Sequence, residues 1–378
     1  MTDLDAVDPL ARVRDLFDLD DDVVYLDGNS LGAPPKAVAE RMQEVVRQQW
    51  GRRLIRSWSE GWWEAPQRVG DRVGRLVGAA PGQVVVGDST SVNLFKALMA
   101  AVKGTDRAEI VVDAGTFPTD GYIARSVAEL TGLELRPAVP DALELTERTA
   151  VVLLNHVDYR TGRMLDMAAV TERVHAVGAK VVWDLCHSAG VLPIELDALG
   201  VDLAVGCTYK FLNGGPGSPA FLYVPTAAQA TFEQPLTGWT GHRAPFAMEE
   251  AYTPDAGIAR GRCGTPDILS MLALDAALDV WDEVSLADVR AKGLALTAYF
   301  RSLVEDLPGI EVITPADEWR GHQISLRHTD AEAVMGKLIA RDVIGDHRPP
   351  DVLRFGFAPL YIRYADARRA AEVLAEVL

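Results

Sequence analysis

Short, unbroken apolar runs recur between about residues 80 and 225. They are Val84-Val85-Val86, Ile110-Val111-Val112, Val151-Val152-Leu153-Leu154, Val181-Val182-Trp183, Leu203-Ala204-Val205 and Phe221-Leu222-Tyr223-Val224. Each is rich in β-branched residues and does not alternate with polar ones, as expected of strands covered on both faces. Between them, 91–103, 119–131 and 167–178 carry the spacing of amphipathic helices. Strand and helix alternating in this way predict an α/β fold with a mostly parallel sheet. From about residue 266 the rhythm changes. A long helix over 267–306 is expected, then strands at Ile310-Glu311-Val312-Ile313 and Gln323-Ile324-Ser325-Leu326. A helix over 330–341, a strand at Val352-Leu353-Arg354-Phe355 and a helix from Ala365 complete a smaller α+β domain. The expected division is a segment 1–50 packed on the small domain and the rim of the site, a large domain 51–265 and a small domain 266–378. No internal repeat or low-complexity tract interrupts it.

A chain of 378 residues with 48% hydrophobic content can bury both cores. A net charge of −17 argues against a nucleic-acid partner, because phosphate backbones require basic surface. No apolar run approaches the ~18–20 residues of a membrane span. The N-terminus, Met1-Thr2-Asp3-Leu4-Asp5, is acidic and unlike a signal peptide. The three cysteines, Cys186, Cys207 and Cys263, form no Cys-x-x-Cys pair, so neither a disulfide framework nor a metal site is expected. These features describe a soluble, cytoplasmic protein.

Asp184 ends one apolar run, and Thr208-Tyr209-Lys210 follows the next. Both polar groups therefore fall at the carboxyl ends of neighbouring strands, where open α/β sheets bind their ligands. A carboxylate and an amine brought together there suit pyridoxal phosphate: the lysine can condense with its aldehyde, and the carboxylate can keep the ring nitrogen protonated. The same two residues also read as a strand-end ion pair. Asn155 ends a third run and converges on the same edge. Gly87-Asp88-Ser89-Thr90-Ser91 joins a strand to a helix, and a hydroxyl-rich turn there is either a phosphate cradle or an ordinary cap. Thr116-Phe117-Pro118-Thr119-Asp120 repeats the arrangement one unit later with an aromatic ring added. His187 is placed either to face a cofactor ring or to serve the core. Asn213-Gly214-Gly215-Pro216-Gly217-Ser218 matches no nucleotide-binding loop. Trp50, Trp58, Trp62 and Trp63 lie close together and suit helix packing, with room for one of them to wall an aromatic pocket. Arg354 sits in an apolar strand, where a buried guanidinium needs a carboxylate partner that an amino-acid substrate could supply.

Taken together, these residues resemble kynureninase, a fold type I pyridoxal-phosphate enzyme, over nearly the whole chain. The resemblance rests on Tyr25-Leu26-Asp27-Gly28-Asn29-Ser30-Leu31-Gly32, Phe117-Pro118-Thr119-Asp120 and Asp184-Leu185-Cys186-His187-Ser188-Ala189-Gly190. It continues through Cys207-Thr208-Tyr209-Lys210-Phe211-Leu212-Asn213-Gly214-Gly215-Pro216-Gly217, Gly238-Trp239-Thr240-Gly241-His242 and Arg354-Phe355-Gly356-Phe357-Ala358-Pro359-Leu360-Tyr361. The stretch from Gly206 to Gly217 is closest to the bacterial branch.

The resemblance implies that Lys210 carries the cofactor and that Asp184 pairs with its ring nitrogen. Thr90, Ser91, Tyr209 and Trp239 would surround the phosphate, while Phe117, Thr119, Asp120, Asn155 and His187 would contact or flank the ring. Thr265, beside Gly264, would reach into the site of a second subunit, so a homodimer with shared sites is implied. Arg354 would hold the substrate carboxylate, with Ser30 and Trp58 near the aromatic end and Arg52 an alternative to Trp58. The implied reaction is hydrolysis of L-kynurenine to anthranilate and L-alanine in tryptophan degradation, with Tyr209 as proton donor. The alternative is a class V aminotransferase or related lyase acting on an aromatic amino acid. A cysteine desulfurase would need a nucleophilic cysteine on a late loop, and none follows Cys263. A cofactor-binding regulator would need an appendage for which the chain has no room.

Overall fold

Val84, Val86, Val111, Val152, Val181, Trp183 and Ala204 belong to one buried cluster, while Val85, Ile110, Val112, Val151, Leu153, Val182 and Val205 belong to another. Adjacent residues of each central strand thus enter opposite cores, which is why these strands read as unbroken apolar runs. The computed structural model describes residues 4–378; the first three residues of the acidic N-terminus lie outside them.

The N-terminal arm contains β1 (Val24–Tyr25), α1 (Lys36–Glu44) and α2 (Ala65–Leu76). The large sheet is built from β2 (Val84–Val86), β3 (Glu109–Asp113), β4 (Glu134–Ala138), β5 (Thr149–Asn155), β6 (Lys180–Asp184), β7 (Leu203–Gly206) and β8 (Phe221–Tyr223). Helices α3 (Thr90–Val102), α4 (Pro118–Thr131) and α5 (Met167–Ala176) connect these strands, and α6 (Thr226–Gln229) follows them. The strand order is β2-β8-β7-β6-β5-β3-β4, and only β8 runs against its neighbours. This is the expected α/β architecture with a mostly parallel sheet.

The C-terminal part comprises α7 (Ile268–Ala277), α8 (Leu286–Val304), β9 (Glu311–Val312), β10 (Gln323–Arg327), α9 (Ala331–Ile339), β11 (Val343–Ile344), β12 (Asp346–Arg348), β13 (Val352–Gly356) and α10 (Tyr364–Val377). Strands β12-β13-β10-β9 form an antiparallel sheet. The helix expected over 267–306 is broken in two. Residues Leu278–Asp282 tighten into a 3₁₀ turn, and Asp279 and Asp282 accept hydrogen bonds from Arg72 on α2. Ser285 then caps α8 by accepting from the Asp288 N–H at 3.1 Å.

The arm stitches the two sheets together. β1 pairs in parallel with β11, and the Leu26 carbonyl accepts from Gly356 N at 2.7 Å. A few residues on, Gly32 N donates to the Tyr209 carbonyl at 2.8 Å. Gly32 lies so close to the Lys210 carbonyl and Asn213 that a methyl group there would collide with both.

Candidate active site

Five strand ends deliver polar side chains to one edge of the large sheet. Asn155 and Asp184 sit opposite each other in the β5–β6 register. Lys210 follows β7, while the starts of α3 and α4 bring Thr90 and Ser91, and Phe117, Thr119 and Asp120. These residues, with His187 and Tyr209, line one cavity of about 190 Å³ that also includes Val157, Tyr159 and Cys186. Ten of the residues singled out in the sequence therefore converge on a single pocket.

The pocket is densely hydrogen-bonded. Lys210 Nζ lies 2.9 Å from His187 Nε2. Asp184 accepts from the Cys186 N–H at 2.6 Å. Asn155 donates to Asp120 at 2.8 Å and accepts from the Thr116 hydroxyl at 2.7 Å. Phe117 packs edge-on against Tyr159, with ring centroids 5.2 Å apart. At the start of α3, Ser89 caps the helix by accepting from Val92 N. The first-turn N–H groups of Thr90 and Ser91 have no intrahelical acceptor and sit beside their own hydroxyls.

Burial controls the electrostatics. It pushes the Asp120 carboxyl well above the usual range, with the charge of Asp184 adding to the effect. It holds His187 well below the ordinary imidazole value, reinforced by the neighbouring Lys210 charge. The Tyr209 phenol is raised, also chiefly by burial. At neutral pH the pocket thus contains a neutral imidazole and a phenol that keeps its proton.

Arg354 is 1% exposed, and its carboxylate partner lies within the chain. It donates from Nε to Asp346 Oδ1 at 2.8 Å and from Nη2 to Asp346 Oδ2. Nη2 also reaches the Ser30 hydroxyl at 2.8 Å, and Nη1 reaches the Tyr159 carbonyl at 2.9 Å. A buried arginine did need a carboxylate, but the antiparallel register places Asp346 directly opposite it.

Besides Arg354 and Ser30, five expected residues do not line this pocket: Trp58, Trp239, Gly264, Thr265 and Arg52. Trp58 packs edge-on against Trp62 and Trp63, and Trp63 in turn stacks with Trp239 and Phe246. Gly264 and Thr265 are exposed beside a separate cavity that includes Lys96 and Arg262. Arg52 is exposed as well. Within one chain, neither Trp58 nor Arg52 walls the pocket.

The family model described as "Kynureninase C-terminal domain" matches residues 289–374. The kynureninase of Burkholderia pseudomallei (strain 1106a) is 50% identical over 392 residues, covering 99% of this chain and 94% of the relative. That of Deinococcus radiodurans is 50% identical over 388 residues, covering 99% and 95%. The chain belongs to the kynureninase family. Among solved structures, the Escherichia coli cysteine desulfurase CsdA shares the fold at a TM-score of 0.84 and 18% identity, covering 97% of this chain and 98% of that one. The cystine C-S lyase C-DES, in complex with cysteine persulfide, gives a TM-score of 0.83 at 17% identity, covering 94% and 97%. At such identities the likeness is one of fold alone.

For a kynureninase-family chain, the sequence reading left out Val157, Tyr159, Asp346 and Arg348. Tyr159 had a faint signal, four residues beyond Asn155 at the same sheet edge. Asp346 and Arg348 had none, because β12 is a short polar strand. Among the described residues no group of three His, Cys, Asp or Glu could hold a metal ion, and no helix is long and apolar enough to cross a membrane.

Proposed function

We propose that the chain hydrolyses L-kynurenine to anthranilate and L-alanine with pyridoxal phosphate as cofactor, and that it works as a cytoplasmic homodimer. The observation that carries this reading is the convergence of Lys210, Asp184 and the α3 N-terminus on one pocket, in a chain half identical to kynureninases along its full length.

The donor set fits the cofactor. Thr90 and Ser91, with the first-turn N–H groups of α3, suit a phosphate. Lys210 would supply the tethering amine, and Asp184, buried at the end of β6, would be the anion for the ring nitrogen. Phe117, Thr119, Asp120, Asn155 and His187 line the same cavity and would enclose the ring. When bound, pyridoxal phosphate supplies an electron-accepting ring for charge developing on the substrate's Cα and Cβ.

The remaining work falls to side chains. Lys210 is placed to carry the Cα proton. His187 stays neutral, so it accepts a hydrogen bond from the lysine without adding a second positive charge. Tyr209 keeps its proton and can donate to the oxygen that gains charge as water adds to the aryl ketone; such positioned transfer contributes roughly 10²–10⁴-fold. Arg354 and Ser30 receive the α-carboxylate end. In the dimer, Gly264, Thr265 and the Trp58–Trp239 cluster serve the neighbouring copy's site, consistent with the exposure of Gly264, Thr265 and Trp239. The segment 1–50 is read as the rim, with 51–265 and 266–378 as large and small domains. An aminotransferase is not favoured, since the half-identical relatives are named kynureninase.

Incubation of the purified protein with L-kynurenine is the test. Anthranilate fluorescence should appear without any keto-acid acceptor. Turnover that requires an acceptor, or no anthranilate, would overturn the proposal.

A further inference from the structure

A second charged pair stands behind Arg354. Asp346 and Arg348 lie two residues apart on β12, so both face the same side of the strand. Arg348 Nη2 donates to Asp346 Oδ2 at 2.6 Å, and the Ser30 hydroxyl lies 3.0 Å from the same oxygen. Asp346 is thus held by two guanidiniums and a hydroxyl at once.

This arrangement determines what Arg354 can offer. A guanidinium carries five N–H donors in a rigid fork. Asp346 occupies Nε and one hydrogen of Nη2; Ser30 takes the other Nη2 hydrogen and the Tyr159 carbonyl takes one of Nη1. One Nη1 hydrogen remains. Nη1 is the arm bonded to Tyr159, which lines the pocket, so the edge formed by Nη1 and Nη2 is the one tied to a pocket residue. An incoming carboxylate can engage that edge in bidentate fashion by using the free Nη1 hydrogen and displacing Ser30. It cannot use the opposite edge, which Asp346 fills. Arg348 compensates Asp346, so the incoming carboxylate does not meet an unopposed negative charge.

We infer that Asp346, held by Arg348, is a positioning residue for the substrate's α-carboxylate: it fixes which edge of Arg354 faces the pocket. The inference rests on the reading of Arg354 as the carboxylate anchor. Asp346 touches Arg354 and not the substrate, so its effect is confined to ligands that carry the carboxylate.

The test uses the holoenzyme and two ligands, L-kynurenine and 2-aminoacetophenone, which keeps the aryl ketone but lacks the amino-acid end. Asp346→Asn should raise KM for L-kynurenine by about tenfold or more, since small misplacements of a positioning group cost up to ~10²-fold. It should change kcat less than threefold, move the Ki of 2-aminoacetophenone less than twofold and leave the cofactor absorbance unaltered. Placed on Arg354→Lys, Asp346→Asn should add no further loss, because both act through one guanidinium. Equal weakening of both ligands, or additive losses in the double variant, would show a merely structural role and overturn the inference. If Arg354→Lys alone leaves KM unmoved, the anchor reading itself falls, and this inference with it. Should Asp346→Asn yield no folded holoenzyme, Arg348→Gln must give the same KM-only effect or the inference fails.

Discussion

Lys210 Nζ and His187 Nε2 meet at 2.9 Å, across a gap of 23 residues in sequence. Burial holds the imidazole neutral, and the lysine's charge holds it there more firmly. The imidazole therefore faces the amine as a neutral hydrogen-bond partner. Borohydride treatment of the yellow holoenzyme should fix the cofactor on the peptide containing Lys210. Labelling at any other of the seven lysines would refute the assignment.

Arg354→Lys keeps the charge and loses the planar fork, leaving three donors on a flexible stem. It should lower kcat/KM for L-kynurenine about a hundredfold while the cofactor spectrum stays intact. Near-normal kinetics would exclude Arg354 as the carboxylate anchor.

Lys96 is fully buried beneath the turn 87–91 and donates to Asp88 Oδ2 at 2.5 Å and to the Gly261 carbonyl at 2.8 Å. Asp88 has a φ of 55°, so the turn is held in a left-handed conformation that its ion pair helps to stabilise. Lys96→Met should cost about 1–3 kcal/mol of stability by leaving these acceptors unmet. It should also weaken cofactor binding, as measured by absorbance titration of the apoenzyme. Unchanged cofactor affinity would separate this ion pair from the phosphate site.

His156 is buried against Trp183, and burial lowers it to about 4. Its folded value lies below its unfolded one, so the unfolded chain binds the extra proton as pH falls. Stability contributed by the neutral ring is present above about pH 6.5 and is lost between about 6.5 and 4. Relative to His156→Phe, the wild-type protein should lose about 3 kcal/mol across that window, from a slope of about 1.4 kcal/mol per pH unit. Parallel stability curves in denaturant titrations would refute the burial argument.

The large sheet was readable because its central strands are covered on both faces, which forces continuous apolar sequence. β4 was not: it is an edge strand of Glu134-Leu135-Arg136-Pro137-Ala138, only partly buried, and a proline is tolerated there. The break between α7 and α8 was concealed because Leu278, Val280 and Trp281 stay buried through the 3₁₀ turn and keep the apolar pattern going. The Ser285 cap was the visible stop signal. The site was legible wherever a strand end carries a polar residue, as at Asn155, Asp184 and Lys210. It was illegible at Asp346, whose role comes from cross-strand register and not from any local pattern. The carboxylate that Arg354 required was foreseen, but its owner was not.

The arm that bridges β11, β13 and the Lys210 loop has a consequence for biosynthesis. β1 leaves the ribosome before all of the large sheet and long before its pairing partner Val343–Ile344 and the Gly356 N–H bonded to Leu26. The nascent arm therefore waits, with an open strand edge, until β11 and β13 are made. Ser30 reaches its partners Asp346 and Arg354 only after β12 and β13 are made. A chain stalled before residue 343 leaves β1 without the strand on which it pairs.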